Sequence, residues 1–171
     1  MEGYLQVYTG NGKGKTTAAI GLAIRAAGAG QQVFFAQFVK DKQYSEIRAL
    51  AQFEDRITVR QYGRGRFMTR TAEEQDIETA HEALSEIRRI ISSGDFRVVI
   101  LDEAAIALHY GLFTINELLN VIVPANLNCE VVITGRYAPP ELIEAADLVT
   151  EMRDVKHYYT QGVHARKGIE L

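Results

Sequence analysis

Several features that would assign this chain to a particular class of protein are missing. It has a single cysteine, Cys129, so no disulfide can form within the chain. No apolar run approaches the ~20 residues that a membrane-spanning helix needs. No signal peptide opens the sequence, so we expect no membrane association and a place in the reducing cytoplasm. Cys129 lies in an apolar stretch and is expected to be a small buried residue rather than a reactive thiol.

The chain also has no excess of positive charge. Its 19 Lys and Arg residues are outnumbered by 22 Asp and Glu, which gives a formal net charge of −3. This balance argues against a general polyanion-binding protein, and we expect no nucleic acid partner. The sequence contains no repeat, no low-complexity tract and no linker rich in Pro, Gly or Ser. We therefore expect one domain over residues 1–171, with 47% hydrophobic residues to supply its core.

What the chain does contain is a regular alternation of apolar and amphipathic segments. Short runs rich in Val, Ile, Phe and Leu predict six strands: Leu5–Tyr8, Gln32–Phe38, Ile57–Gln61, Arg97–Leu101, Glu130–Thr134 and Leu148–Glu151. The intervening segments predict helices over Thr16–Ala29, Ala72–Ser92, Thr114–Val123 and Pro140–Ala146. This alternation indicates an α/β fold, with a mostly parallel sheet of about six strands and helices on both faces.

The most informative segment follows the first strand. Residues 9–17 read Thr-Gly-Asn-Gly-Lys-Gly-Lys-Thr-Thr, and such small residues let a backbone wrap around phosphate oxygens at the start of a helix. In such a loop Lys15 can reach the outer phosphates of a triphosphate, and the Thr16 hydroxyl can ligate Mg²⁺. The usual pattern, G-x-x-x-x-G-K-[ST], has glycine where this chain has Thr9. We therefore predict a variant of the phosphate loop (P-loop) on a P-loop NTPase fold.

A second motif adds the expected other half of a nucleotide site. The apolar run 98–101 ends in Asp102 and Glu103, and one of these carboxylates is expected to hold Mg²⁺ directly or through water. Another strand ends at residues 134–136. Arg136 is expected either to contact a phosphate or carboxylate, or to be an exposed arginine at a turn. Spacing thus indicates a Mg²⁺–nucleotide enzyme and leaves the fate of the nucleotide open.

Residues 63–71 form a loop that combines glycine, arginine and apolar residues. Phe67 and Met68 are expected either to anchor this loop to the core or to face a large, flat apolar ligand. The loop also carries Arg64, Arg66 and Arg70, for which the negative net charge makes a nucleic acid contact the minor interpretation. His109 and His157 each precede a tyrosine and are expected to pack rather than to catalyse, although His109 could border the cleft.

Taken together, these motifs resemble the ATP:corrinoid adenosyltransferases that share the P-loop fold. The matching segments are residues 8–19, 37–40, 101–103, 133–136, 146–152, 156–157 and 162–170. The match runs almost end to end, and the order of the motifs is highly specific. The resemblance implies that Co(I) of a reduced corrinoid attacks the 5′ carbon of ATP. Triphosphate leaves and a cobalt–adenosyl bond forms, in adenosylcobalamin synthesis or salvage.

The resemblance also implies roles for particular residues. The triphosphate would be bound by Gly10, Asn11, Gly12, Lys13, Gly14, Lys15, Thr16 and Thr17. Mg²⁺ would be held by Thr16 with Asp102 or Glu103, and the catalytic residues would be Lys15, Thr16 and Glu103. The active cleft would be bordered by Gln37, Lys40 and Arg136. The family further implies a homodimer and a flavoprotein or other reductase as partner.

One segment departs from the family pattern. Well-known members carry Gly-Phe-x-Trp where this chain has Gly65-Arg-Phe-Met68, and this chain has no tryptophan. In the family, aromatic residues against the corrin help to remove the lower axial ligand of Co(II). Phe67 would keep half of this role, and Met68 would replace the other half as an adaptable apolar contact.

Two other functions are compatible with the residues alone. One is a P-loop ATPase or small-molecule kinase in which Glu103 orients water or a hydroxyl group. The other is a non-catalytic, nucleotide-dependent binding module. The phosphorus product distinguishes these alternatives, because only adenosyl transfer yields triphosphate.

Overall fold

The computed structural model describes residues 2–40, 44–63, 72–123 and 127–170 of the chain. In these residues six strands form one sheet: β1 (Leu5–Thr9), β2 (Val33–Phe38), β3 (Ile57–Tyr62), β4 (Val98–Asp102), β5 (Glu130–Thr134) and β6 (Leu148–Glu151). The strand order is β3-β2-β4-β5-β1-β6. Every neighbouring pair is parallel. The six predicted strands are confirmed, with ends that differ by at most one residue.

Helices connect these strands. They are α1 (Lys15–Gly28), α2 (Ser45–Leu50), α3 (Glu74–Ser93), α4 (Ala104–His109), α5 (Ile115–Ile122) and α6 (Pro140–Ala145). Within the described residues, 3₁₀ turns occur at Ala51–Phe53 and Tyr158–Gln161. The four predicted helices are confirmed within two residues at each end. The sequence did not predict α2 and α4, which have six residues each.

Local sequence signals explain where the longer helices begin and end. At the start of α3, the Glu73 side chain and the Asp76 side chain cap each other's backbone N–H groups. Thr114 and Glu117 form the same reciprocal capping box at the start of α5. Such pairs satisfy N–H groups that have no partner inside the helix. Helix α3 ends at Gly94, whose φ of 74° is the left-handed conformation that glycine adopts without strain.

The core lies on both faces of the sheet. All six residues of β2 are buried, and neighbouring side chains enter opposite layers. Phe34 belongs to the layer that contains the buried faces of α3, α4 and α5. Phe35 belongs to the layer beneath α1 and α2. The prediction of helices on both faces is therefore confirmed, and it explains why the strands are nearly continuous in apolar residues.

The parallel arrangement places the carboxyl ends of all six strands at one edge of the sheet. Register brings Gln37 of β2 opposite Asp102 of β4, and Leu101 of β4 opposite Ile133 of β5. Polar groups that are distant in sequence therefore converge at this edge, where open α/β sheets bind ligands. In the part of the chain that the structure describes, no helix has the length and apolar character that crossing a membrane requires.

Candidate functional site

The loop between β1 and α1 has a backbone path that depends on glycine. Gly12 donates its N–H to the carbonyl oxygen of Met152, at 2.7 Å. A Cβ at Gly12 would lie 2.7 Å from the carbonyl oxygens of Met152 and Arg153, and a Cβ at Gly10 would lie 2.4 Å from that of Met152. The loop therefore packs against the chain that leaves β6. This packing explains the unusual glycine positions, because Thr9 still belongs to β1 and pairs with Glu151.

Lys15 lies inside this loop. Its ammonium donates to the carbonyl oxygens of Gly10 and Gly12, both at 2.7 Å. Burial lowers the pKa of Lys15, and the positive charge of Arg136 lowers it further. The two hydrogen bonds from the partly desolvated ammonium therefore stabilise the curved conformation of the loop. A desolvated cation at the start of a helix is a strong electrostatic partner for an incoming phosphate.

Asp102 is the centre of a buried hydrogen-bond network at the base of the loop. Its side chain is fully buried. Its Oδ1 accepts hydrogen bonds from the hydroxyl groups of Thr16 and Thr134, each at 2.7 Å. Its Oδ2 accepts one from the amide of Gln37 at 3.0 Å, and Gln61 in turn donates to Gln37 at 2.8 Å. The network links β3, β2, β4, β5 and α1, and so fixes the positions of the strand ends around the cleft.

Glu103 occupies a different environment from its neighbour. Its backbone is left-handed, with φ of 59°, and its N–H donates to the Thr134 hydroxyl at 3.0 Å. This conformation starts α4 immediately after β4 and presents Glu103 to the cleft. Burial raises the pKa of Glu103, and the negative charge of Asp102 raises it further. Glu103 therefore gives the cleft a carboxylate that is more basic than usual.

Lys40 balances the two carboxylates. Its ammonium lies 3.6 Å from Oδ2 of Asp102 and 3.8 Å from Oε1 of Glu103. Burial alone would lower the pKa of Lys40, but the charges of the two carboxylates outweigh burial and raise it. The base of the site thus contains a paired cation beside two acidic groups.

The donor set at this point suits Mg²⁺. The Thr16 hydroxyl has committed its proton to Asp102, so its oxygen can act towards the loop only as a ligand or acceptor. Asp102 and Glu103 add the carboxylates that this hard cation prefers. Among the described residues, no group of three or more His, Cys, Asp and Glu side chains is arranged to hold a metal by itself.

A cleft of about 1070 Å³ opens above these groups. One wall consists of the P-loop residues Asn11–Thr17 and of Ile20 in α1. A second wall contains Lys40 and three residues of α2. Further walls are built by the residues that follow β4 and β5, and by the C-terminal segment, residues 152–170. The volume is at the upper end of what single small-molecule sites usually have.

The C-terminal segment is attached to the P-loop through Lys13. The Lys13 ammonium lies 2.8 Å from Oε1 of Glu170 and 3.1 Å from the Tyr158 hydroxyl. Arg166 also contacts Glu170, through its backbone N–H and its guanidinium, at 2.9–3.3 Å. Hydrogen bonds from Arg166, Lys13 and Tyr158 hold the pKa of Glu170 well below its usual range. Sequence reasoning assigned no role to Tyr158, Arg166 or Glu170, although Arg166 and Glu170 have the spacing of an ion pair across one turn.

Three aromatic residues form a cluster at the end of α4 and just after β5. The rings of His109 and Tyr137 are stacked, with centroids 4.2 Å apart and planes 30° apart. The Tyr110 ring meets His109 edge-on at 5.3 Å. Tyr110 and Tyr137 line the cleft. We call His109, Tyr110 and Tyr137 the aromatic shelf. Sequence reasoning had treated His109 together with Tyr110 but had assigned no role to Tyr137.

Comparison with known proteins decides the family. The family model described as "ATP:corrinoid adenosyltransferase BtuR/CobO/CobP" matches residues 1–171. The chain belongs to the ATP:corrinoid adenosyltransferase family. It is 37% identical to a corrinoid adenosyltransferase of Pseudomonas aeruginosa over 170 residues, which cover 99% of this chain and 84% of that protein. It is 33% identical to a corrinoid adenosyltransferase of Escherichia coli K12 over 168 residues, 98% of this chain and 85% of that protein.

Membership of this enzyme family confirms the resemblance seen in the sequence. The fold has a wider distribution than the family. The crystal structure of the flagellar accessory protein FlaH from Methanocaldococcus jannaschii matches with a TM-score of 0.60 over 88% of this chain and 71% of that one. At 11% identity this likeness concerns the fold alone.

The structure brings most of the predicted adenosyltransferase site residues together. Asn11–Thr17, Lys40, Glu103 and Arg136 line one cleft. Gln37 was expected to border that cleft, whereas the structure buries it completely behind Asp102 as a support for the carboxylate. Arg136 is exposed and lines the cleft, which combines the two interpretations of its position. Phe67 and Met68, like Arg64, Arg66 and Arg70, lie outside the described residues.

Proposed function

We propose that this chain transfers the 5′-deoxyadenosyl group of ATP to the Co(I) centre of a reduced corrinoid and releases triphosphate. Family membership supports adenosyl transfer between these two substrates. The observation that carries the proposal beyond the family name is the shape of the site. A glycine-dependent P-loop opens into a cleft of about 1070 Å³, slightly above the usual range for a site that holds one small molecule.

In the proposed reaction the cobalt supplies the electrons. The electron pair of Co(I) forms the bond to C5′ of ATP while the C5′–O bond breaks, and the bonding electrons leave with triphosphate. Cobalt is thereby oxidised from Co(I) to Co(III), and no protein nucleophile takes part. The protein's contribution is to hold the two substrates in line and to stabilise the leaving group.

The leaving group would be held by the P-loop. Lys13 and Lys15 would counter its charge, and the N–H groups of residues 10–17 would bind its oxygens. In the structure the Lys15 ammonium donates hydrogen bonds to the carbonyl oxygens of Gly10 and Gly12, so it lies inside the P-loop before any nucleotide binds. These cations would favour the triphosphate more as its charge grows during C5′–O cleavage.

Thr16, Asp102 and Glu103 would hold Mg²⁺. When bound, the cation would neutralise part of the triphosphate charge. Their contacts suggest a different role for each carboxylate. Asp102 already accepts three hydrogen bonds and would orient the Thr16 hydroxyl, whereas Glu103 faces the cleft and would approach the cation more closely.

The decisive experiment supplies purified protein with Mg-ATP, cobalamin and a strong reductant. We expect the light-sensitive spectrum of an alkylcobalamin, and triphosphate as the phosphorus product in ³¹P NMR. ADP and phosphate formed without any corrinoid would instead indicate an ATPase, and ADP with a phosphorylated acceptor would indicate a kinase. Either result, with no alkylcobalamin, would overturn the proposal.

Three further features are proposed with this function. We expect a homodimer, which sedimentation equilibrium would detect as twice the 19.1 kDa chain mass. We expect a flavoprotein or another reductase to deliver the electron to Co(II), because Co(I) must be generated before each transfer. We also place the reaction in the cytoplasm, where its single cysteine would stay reduced.

A further inference from the structure

We propose that the aromatic shelf, His109 with Tyr110 and Tyr137, is the surface on which one face of the corrin ring packs. The inference rests on the corrinoid being a substrate, as proposed above. It assigns a specificity-determining role to residues at the end of α4 and directly after β5. The C-terminal segment instead follows β6, which pairs with β1 on the side opposite to β5.

The shelf is preorganised to receive a flat ligand. The stacked His109 and Tyr137 rings hold each other in place, so little side-chain freedom remains to be lost on binding. Tyr137 is nevertheless 52% exposed and Tyr110 is 40% exposed, so part of each ring is accessible to a ligand. Both belong to the cleft that contains the P-loop, Glu103 and Arg136. The exposed rings are therefore continuous with the proposed site rather than an isolated surface patch.

The backbone of Tyr137 supports a functional interpretation. Its φ of 63° is left-handed, a conformation that a bulky residue adopts only under strain and that glycine adopts freely. It directly follows Arg136, which also lines the cleft. A strained backbone that keeps a large ring exposed at the mouth of a cleft is typical of a ligand contact.

The position of the shelf favours the corrin over the adenine of ATP. Adenine is tied to the triphosphate through one ribose, so it must lie close to the P-loop. The C-terminal segment is the aromatic wall that meets this requirement, because Tyr158 contacts Lys13 directly and Tyr159 lines the cleft. The shelf reaches the cleft from the end of α4 and from the residues that follow β5 instead. It is thus available to the larger, untethered substrate, whose flat apolar faces can stack on exposed rings.

The test compares two tyrosines of similar exposure. Tyr137→Gly removes the ring and relieves the left-handed backbone, so the variant should fold as well as the parent. Tyr4→Ala is the matched control, because Tyr4 is 47% exposed but precedes β1 at the far end of the sheet. The dissociation constant of cob(II)alamin is measured by equilibrium dialysis, and KM is measured separately for corrinoid and for ATP.

We expect Tyr137→Gly to weaken cob(II)alamin binding and to raise the corrinoid KM by about 3- to 10-fold, as expected for one aromatic contact. The ATP KM should change by less than about twofold. Tyr137→Phe, which keeps the stacking face, should restore most of the lost affinity, and Tyr4→Ala should behave as the parent.

Two results would overturn the inference while leaving the proposed function intact. One is a parent enzyme that makes adenosylcobalamin while Tyr137→Gly leaves corrinoid affinity unchanged. The other is a rise confined to the ATP KM, which would assign the shelf to adenine. A parent protein that neither binds cobalamin nor adenosylates it would overturn both proposals.

Discussion

At the scale of single residues, Lys15 has an unusual position for a lysine. It is 9% exposed, and its partners are two carbonyl oxygens rather than a carboxylate. Carbonyl groups cannot neutralise an ammonium, so the positive charge of Lys15 is not cancelled by its hydrogen-bond partners. We expect a residue in this state to contribute to anion binding more than to the stability of the fold.

We therefore expect Lys15→Ala to weaken Mg-ATP binding by about 10- to 100-fold, the usual cost of losing a hydrogen bond to a charged group. Isothermal titration calorimetry measures the affinity, and far-ultraviolet circular dichroism checks the fold. Arg88→Ala, an exposed cation on α3, controls for the loss of one positive charge. Unchanged ATP affinity in Lys15→Ala would contradict the assigned role.

Cys129 differs from Lys15, because the fold lowers the reactivity of its thiol. Its side chain is buried, as the sequence predicted, and burial raises the pKa of the thiol to about 11. At pH 8 the reactive thiolate is therefore scarce in the folded protein and more abundant in the unfolded chain, whose thiol ionises at a lower pH.

We expect iodoacetamide at pH 8 to label Cys129 at least about 100-fold more slowly in buffer than in guanidinium chloride, because thiolate fraction and access both fall on folding. Mass spectrometry after timed quenching gives both rates. Because the chain has one cysteine, the measurement needs no variant. Similar rates in the two conditions would show that the thiol is not held in the core.

At the scale of elements, the P-loop and the end of β6 form one unit. The Gly12 N–H is bonded to the Met152 carbonyl, and Gly12 has no room for a side chain there. Gly21 provides a contrast, because it lies in α1 and a Cβ there would meet nothing within 4 Å. A side chain is therefore excluded by the packing at Gly12, whereas the structure has room for one at Gly21.

Gly12→Ala should lower the free energy of unfolding by about 1–3 kcal/mol, since a methyl group must displace rigid backbone. It should also weaken ATP binding by at least about tenfold, because the cradle must shift. Gly21→Ala should instead raise stability by about 0.5–1 kcal/mol, since alanine favours the helix. Urea unfolding measures both variants, and equal stability changes of the same sign would refute this account.

The helices and strands that could be predicted from the sequence are those whose own residues carry the signal, as an apolar pattern or as capping residues. Strand β2 is apolar except for Gln37, as expected for a strand that is buried on both faces, and α3 carries its own capping residues. The sequence missed α4, which begins directly at Glu103 without an intervening loop and has only six residues. Helices this short are stabilised by packing rather than by local propensity, so their sequences carry little signal.

The candidate site was predictable to the extent that it is local. The P-loop and the Asp102–Glu103 pair are contiguous motifs, and their convergence follows from a parallel sheet. The burial of Gln37 depends on the register between β2 and β4, which no local pattern reveals. The contact of Glu170 with Lys13 and the left-handed backbone of Tyr137 depend on the path of loops in the folded chain.

At the scale of the whole molecule, ligand binding should raise the stability of the folded protein against unfolding. The site draws on residues from the P-loop, β2, β4, β5 and the C-terminal segment. Nucleotide bound there would stabilise the folded state alone, because the unfolded chain does not assemble the site.

We expect Mg-ATP at about 100 times its dissociation constant to raise the melting temperature by about 5–10 °C, which corresponds to about 2.7 kcal/mol for a chain of this size. Differential scanning calorimetry measures the shift, and Lys15→Ala should reduce it sharply. ATP with EDTA should give a smaller shift if Mg²⁺ is held by Thr16 and the adjacent carboxylates. An identical shift with and without the cation would contradict that metal assignment.

The position of β1 within the sheet has a consequence for synthesis on the ribosome. Leu5 lies opposite Val131, and Thr9 lies opposite Glu151, so the first strand to emerge pairs only with the last two. The P-loop that follows β1 packs against the residues that leave β6, so it cannot take its folded shape before β5 and β6 have been synthesised. Until then β1 lacks both neighbouring strands, and its apolar residues Leu5 and Val7, which are buried in the folded protein, are open to non-native contacts.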